Sequence, residues 1–386
     1  MKKKLLPALI VTGLIILVVI IMGITALINK YTPTKKTEDL KEYFNISSDD
    51  EAALIVDNEL SDYKAKIIDK KIYVDYKFVH DSLNSRFYWD ANENVLLYTT
   101  ASDIISAAAD SNSYSVTKQT NDFGYPIVKA TSDSALIALD YVKQYSNITF
   151  KSYDDPARIV ITSKWDEIDS ATVSKSTQVR VKGGIKSPIL KEVKKDDKIT
   201  ILDSGDKWDK IATEDGVIGY IKGKALSESK KTKLTNPDYE EETFTHIKKD
   251  KDICLAWNQV TSQSANSKVP QVISSTKGIN VMSPTWFYLN DNNGNLADIA
   301  SKDYVSYCHS QGIEVWGLFS NFENTDVDAA YVLTHTSTRT TLINQIMSAA
   351  FNYELDGVNI DFKNILALLL LLVYSPSEAK RITQWQ

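Results

Sequence analysis

Two cysteines and four histidines in 386 residues leave little material for sulfur or metal chemistry. Cys254 and Cys308 lie far apart, which rules out a disulfide framework and a cysteine zinc site; they read as two buried free thiols, with a single Cys254–Cys308 bridge as the alternative. His80, His246, His309 and His335 are scattered, with no His-x-x-x-His pair. No metal or cofactor site is therefore expected. A charge excess is missing too: 44 basic against 50 acidic residues gives −6. Beyond Lys2–Lys4 there is no basic block, which argues against a nucleic-acid partner. With 43% hydrophobic and 24% charged residues, the chain is a folding composition and not a disordered one. Its length allows about two to four domains.

The N-terminus carries a clear signal. Lys2–Lys4 precede Leu5 to Ile28, a run without any charged residue. As a helix this run rises about 36 Å, enough to cross a hydrocarbon core of about 30 Å. Leading lysines favour a cytoplasmic N-terminus. A cleaved signal peptide is the alternative, but its apolar region is normally about 7–15 residues and ends in a small-x-small site. Residues 1–30 are thus expected to be a basic tip and a single-pass anchor in the cell membrane. The remainder would lie outside the cell, which excludes an intracellular enzyme.

Residues 31–39 read as a polar linker. Over 40–166 an order of pieces recurs: an extended Tyr/Val piece, a short amphipathic helix, an aromatic strand, an Asp turn and a β-branched strand. "KIYVDYKFV", "FYWD" and "NVLLYTT" form one set; "GYPIVKA", "ALDYVKQYSNITFKSYDD" and "RIVITS" form the other. This α+β duplication resembles the copper-amine-oxidase N-terminal-like repeat of secreted Gram-positive proteins. No Tyr/His oxidase constellation accompanies it, so a structural or wall-contacting spacer is expected.

Residues 168–228 are short strands between Gly and Asp turns, the pattern of a small β-barrel. "VRVKGG", "KKDDKITIL", "GDKWDKIAT" and "DGVIGYIKGKAL" resemble a bacterial SH3-type domain. That resemblance implies contacts to peptidoglycan through an aromatic groove, with Trp208 and Tyr220 as the wall-binding candidates. Both could equally be core aromatics. Residues 229–243 read as a charged linker.

From 244 onward strands alternate with helices, as in a parallel sheet or barrel. The expected strands are 252–257, 278–287, 313–319 and "DGVNIDF". The expected helices are 301–311, with a stripe at Tyr304, Val305 and Cys308, and 338–354. The second should bury Leu342, Ile343, Ile346, Ala349 and Ala350 on one face. In "LDGVNIDFKN" polar Asn359, Asp361 and Lys363 alternate with Val358, Ile360 and Phe362, so one face is apolar and the other polar.

With "SPTWF" and "EVWGLFSN", this stretch resembles the Asp-Gly-x-x-x-Asp-x-Glu strand of family 18 glycoside hydrolases, here Asp356, Gly357, Asp361 and then Lys363. The likeness covers about 244–364 and implies a (β/α) TIM-type barrel. It also implies substrate-assisted, retaining hydrolysis of N-acetylglucosamine polymers such as chitin or wall peptidoglycan. The substrate's acetamide oxygen attacks C1, and no protein nucleophile is needed. Asp361 would hold the acetamide, with Asp356 beside it in the motif. Asn359, Trp286, Trp257 and Trp316 would bind the sugar. Lys363 occupies the position of the family's acid glutamate. A lysine with a pKa of about 10.4 is a far weaker acid than a carboxyl near 4.3.

A complete barrel needs eight strands and about 250 residues. Only about four units are legible here, in 143 residues from Phe244. After Asn364, "ILALLLLLVYS" is apolar throughout and shorter than the roughly 20 residues that span a bilayer. Residues 365–386 read as an aberrant tail of a truncated or frame-shifted chain. The expectation is a membrane-anchored wall protein of glycoside-hydrolase type, inactive as it stands. The alternative is an active wall or spore-cortex N-acetylglucosaminidase or chitinase-like hydrolase.

Overall fold

The computed structural model describes residues 5–244 and 248–363, so the expected tail and His246 lie outside the described residues. The chain divides into two compact units. The first takes in the chain up to Phe87, Asp110–Tyr114 and Thr120–Glu242. The second takes in Tyr88–Ala109, Ser115–Gln119 and the chain from Thr243.

The first unit begins with the helix Leu5–Tyr31. Its stretch Ile10–Tyr31 is apolar enough to cross a membrane and none of it is covered by protein. Lys186 closes the helix end by donating to the carbonyls of Asn29 and Thr32. That is the charge expected to be favourable at a helix C-terminus. The following residues are not a free linker. Thr34 N–H donates to Ile185 O at 2.8 Å, and Glu38 N–H donates to Ile189 O at 2.8 Å. Residues 34–38 thus line the edge of the strand Ile189–Val193.

The segment read as a duplication holds two runs of elements, whose later strands lie in different sheets. Strand Lys71–Asp75 runs into helical turns Tyr76–Phe78 and Val79–Leu83, then strands Phe87–Asp90 and Val95–Thr99. Strand Ala135–Ala138 runs into helix Leu139–Gln144, then strands Thr149–Tyr153 and Arg158–Thr162. The two lead strands pair antiparallel, Val74 opposite Ile137. They belong to a seven-stranded sheet that also holds Glu51–Val56 and Glu59–Ile68.

A second seven-stranded sheet is built from residues 167–233 and carries the segment read as a small barrel. Its Val179, Ile199, Ile211 and Ile221 share one core with Phe44, Ala53 and Ile55 of the preceding segment. The turn between Trp208–Thr213 and Ile218–Lys222 makes this contact. Gly216 sits there at φ +82°, and an added Cβ would come within 2.9 Å of Val160. A side chain is excluded by both conformation and space. Beside it Asp215 pairs with Arg158 at 2.5 Å and Lys191 at 2.6 Å. Burial pushes the Asp215 carboxyl up, but hydrogen bonds from Lys191 and Thr213 and the charges of Lys191 and Arg158 outweigh it and hold it below the usual range.

The second unit holds four parallel strands in chain order: Leu255–Asn258, Val281–Pro284, Glu314–Ser320 and Gly357–Asp361. A small antiparallel pair, Phe287–Leu289 with Leu296–Asp298, also joins Glu314–Ser320. Phe287, expected at the end of one long strand, lies in a separate one, because Pro284 ends the first. Helix Lys302–Ser310 starts on the Ser301 side chain and buries Tyr304, Val305 and Cys308, the stripe expected from spacing. Cys254, read as buried, is exposed, because its residue precedes the strand that would cover it.

In the long helix Thr336–Tyr353, Ile346 and Ala349 join the core that holds Val315 and Phe319. Ile343, expected on that buried face, is 43% exposed, since it lies on the flank shared with Met347. His335, ahead of the helix, offers no side-chain cap. Asp90 takes the role from 246 residues away, accepting from Thr336 N–H at 2.6 Å and from its hydroxyl. Glu93 accepts from Ser337 N–H at 2.9 Å. These carboxylates satisfy helix donors that no residue of the same helix can reach.

Candidate active site

The motif strand Gly357–Asp361 lies parallel to Glu314–Ser320, with Gly357 opposite Trp316 and Asp361 opposite Ser320. Gly357 has no room for a side chain: a Cβ would meet Trp316 Cγ at 2.7 Å. This explains the glycine of the motif without appeal to a turn. The strand's period of two sends Asn359 and Asp361 to one face and Val358 and Ile360 to the other. Asn359 donates to the Ser283 hydroxyl at 3.0 Å, and Ser283 is fully buried. The polar face is therefore tied into the neighbouring sheet residues.

At the strand's C-terminal end, Lys363 Nζ stands 3.6 Å from Asp361 Oδ2 and 4.4 Å from the centre of the Phe322 ring. Its backbone is held on both sides by Asn321, which accepts from Lys363 N–H at 2.7 Å and donates to Lys363 O at 2.9 Å. Lys363 is thus fixed where the motif brings it. The pair is half open to water, with side-chain exposures of 35% for Asp361 and 57% for Lys363. An ion pair so exposed adds about 0–1 kcal/mol to stability.

Asp356 does not join this group. It lies ahead of the strand, five residues from Asp361, or about 17 Å of extended chain. There its carboxylate accepts from Val315 N–H at 2.8 Å and sits 2.7 Å from His309 Nε2. Those contacts hold the start of the sheet together and leave it remote from Asp361.

The three tryptophans expected to bind sugar divide. Trp257 is 71% exposed and register-matched to Ser283, so it shares the face of Asn359. Trp316 is half-buried over Gly357 and donates to Glu314 at 3.1 Å. Trp286 cannot stack on a sugar: it is fully buried, donates to Asn266 at 2.7 Å and meets Tyr304 edge-on at 4.9 Å. A buried indole needs a partner for its N–H, and Asn266 supplies it.

Glu323 was not singled out in the sequence. It follows Glu314–Ser320 and accepts from the Ser320 hydroxyl, whose residue is the ladder partner of Asp361. Its position just past a strand's C-terminal end was the available signal. In the first unit, Trp208 and Tyr220 are half-buried neighbours: a Cβ on Gly183 would touch both, at 3.1 and 3.6 Å. Neither belongs to the apolar core of that sheet. Among the described residues no group of three or more His, Cys, Asp or Glu side chains converges as metal ligands.

No protein-family model and no curated protein sequence matches the chain. Several solved structures resemble part of it. One is the C-terminal domain of a Desulfitobacterium hafniense protein described as a chitinase, with 23% identity over 29% of this chain and 34% of that one, TM-score 0.26. Another is a class V chitinase from Pseudomonas fluorescens, with 15% identity over 34% of this chain and 42% of that one, TM-score 0.26. A third is the Bacillus cereus spore cortex-lytic enzyme SleL, with 16% identity over 28% of this chain and 26% of that one, TM-score 0.24. The chain spans under half the length of each.

Proposed function

We propose that this chain is a membrane-anchored surface protein of family 18 glycoside-hydrolase type that binds N-acetylglucosamine-containing wall polysaccharide without cleaving it. The observation that carries the reading is the pair Asp361 and Lys363 at the C-terminal end of the motif strand. Asp361 is the residue that would hold an acetamide. Lys363, at the position of the family's acid, is a cation beside it. Loss of one positioned general acid lowers a rate by about 10²–10⁴. A fixed positive charge where an oxocarbenium-like charge must develop lowers it further. Trp257, exposed on the same face, supports sugar contact. The uncovered helix Ile10–Tyr31 supports an anchor, with the N-terminus in the cytoplasm.

In this reading the 168–228 segment is a bacterial SH3-type wall binder, and the 40–166 repeat is a spacer of the copper-amine-oxidase N-terminal-like kind. The adjacent Trp208 and Tyr220, outside the core, support a stacking surface. The test is binding to insoluble wall and to N-acetylglucosamine oligomers, with product release followed by chromatography. Binding without product is the expected result, and Trp208→Ala should weaken wall binding while the melting temperature stays within a few degrees. Sustained release of sugar by the unmodified chain would sink the proposal.

One observation favours the active alternative: the Glu323 carboxylate at the same strand end. If the chain does hydrolyse oligomers, Glu323→Gln should abolish that activity.

A further inference from the structure

The chain that leaves the helix Leu5–Tyr31 has no free stalk. Three residues past Tyr31, Thr34 N–H donates to Ile185 O at 2.8 Å, and Ile189 N–H donates to Lys36 O at 2.8 Å. Residues 34–38 thereby run parallel to the start of the strand Ile189–Val193, with Thr37 opposite Ile189. Arg180, 3% exposed, ties the same strap from inside: its guanidinium donates to Thr34 O at 3.3 Å and to Ser187 O at 2.6 Å. The loop 182–187 closes on itself, Lys182 N–H donating to the Ser187 hydroxyl at 2.8 Å. From this loop Lys186 reaches the helix end and donates to Asn29 O and Thr32 O. Strap, loop and helix end therefore form one joint, all within the first unit.

The length of the helix sets the height of that joint. Ile10–Tyr31 has 22 residues. Its rise is about 33 Å, against a hydrocarbon core of about 30 Å. Asn29 directly follows the uncharged run 5–28. A helix that spans the core thus brings residues 29–32 into the headgroup layer, and the Lys186 ammonium that holds their carbonyls comes with them. Residues 29–37 and 181–190 contain five lysines, Lys30, Lys35, Lys36, Lys182 and Lys186, and no Asp or Glu. All five are exposed. A basic cluster beside a membrane span is drawn to anionic headgroups. We propose that the loop 182–187 is seated in the phospholipid headgroup layer at the C-terminal end of this helix, with these lysines on lipid phosphates. The seat requires that the helix span the membrane, as proposed above. Gly183 is three residues from Lys186, at most about 11 Å along the chain. Trp208 and Tyr220 border Gly183, so the wall polymer proposed for them is met next to the membrane.

The experiment places a nitrobenzoxadiazole label on the full-length chain with Cys254 changed to serine, since Cys308 is buried and out of reach. The labelled sites are Gly184→Cys, Tyr31→Cys and Thr232→Cys, each in its own chain. A Cβ at Gly184 meets nothing within 4 Å, and Thr232 is exposed on Lys230–Lys233, the strand at the opposite edge of the same sheet. Lys182→Cys is a second reporter in the loop, so that one poorly folding variant does not decide the result. Each chain is reconstituted into vesicles of phosphatidylglycerol and phosphatidylcholine that carry a headgroup spin-labelled lipid, and quenching is read. Quenching at 184 should come within about twofold of that at 31 and exceed that at 232 several-fold, because the headgroup layer is only about 5–8 Å deep. Lys35→Glu together with Lys182→Glu should lower the quenching at 184 and leave that at 31 unchanged. Strong quenching at 31 with none at 184 or 182 would overturn the seat and leave the membrane span standing. No quenching at 31 would remove the span and the seat together. Equal quenching at 184 and 232, or indifference of 184 to the two glutamates, would also overturn the proposal, the first because the joint then sets no orientation and the second because the lysines then hold nothing.

Discussion

Lys363 Nζ lies 3.6 Å from Asp361 Oδ2, and the same ammonium rests 4.4 Å above the Phe322 ring. The ammonium therefore has two neighbours of opposite character, a charge and a π-face. We expect Lys363→Ala to leave hydrolysis undetectable. Lys363→Glu should fail as well, because two of the groups the proposed site would need stay out of reach: Trp286 is fully buried, and Asp356 is held at the other end of the strand by Val315 N–H. Positioning of that kind is worth about 7–11 kcal/mol of barrier. The assay is release of a fluorescent leaving group from an N-acetylglucosamine oligomer. Turnover by Lys363→Glu would show that the side chain at 363 was the one obstacle.

Asp90 serves the long helix Thr336–Tyr353 as a cap from outside. It is 1% exposed and also accepts from Asn92 and Glu93 N–H at 2.9 and 3.2 Å. Asp90→Ala strips the donors of Thr336 of their partner, and we expect a loss of about 1–2 kcal/mol in the second unit. Glu93→Ala should cost less, because its contacts are exposed. Urea midpoints of the two variants, read by tryptophan fluorescence, give the comparison. Equal and negligible losses would mean that the cap is satisfied by water.

The thiols separate by burial. Cys308 is fully buried, and burial, with the nearby Asp356 charge, pushes its thiol up to about 12. Cys254 is exposed. At pH 8 an alkylating reagent should modify Cys254 in the folded chain and reach Cys308 only in urea. Mass spectrometry of the quenched reaction counts the adducts. Two adducts at equal rates in native buffer would contradict the packing of helix Lys302–Ser310.

Local pattern made some of this legible. The alternation of 357–361 gave the two faces of the motif strand, and the spacing of Tyr304, Val305 and Cys308 gave a helix face. Both depend on neighbours in sequence, and periodicity reports those. What stayed hidden depends on distant partners. Nothing near Trp286 announces that Asn266 takes its N–H, so its burial could not be told from a sugar platform. Nothing near His335 announces Asp90. Residues 34–38 read as a polar linker because the edge they pair with begins 151 residues after Glu38, at Ile189. The Asp356 carboxylate stands in the motif by sequence, yet its length of strand carries it to the far end of the sheet.

Asp215 joins the two sheets of the first unit through Arg158 and Lys191, and its side chain is 13% exposed against 6% for Arg158. Breaking a buried pair leaves its partner charged and unsatisfied, at a cost of about 3–5 kcal/mol. Asp215→Asn should lose about 3 kcal/mol at pH 7 on that ground. The pH dependence follows from the direction of its shift. The folded carboxyl is held below the unfolded value of about 3.9, so the unfolded state takes up the proton first. Its stabilisation is fully present above about pH 4 and is lost as the pH falls through the folded value. Asp50 and Glu51 are held low as well and add acid sensitivity of the same sign, so the difference between wild type and Asp215→Asn isolates the one residue. Urea unfolding from pH 7 down to pH 3 should show a constant gap above about pH 5 that narrows below about pH 4. A gap that is independent of pH would assign the loss to packing at the turn and not to the charge of Asp215.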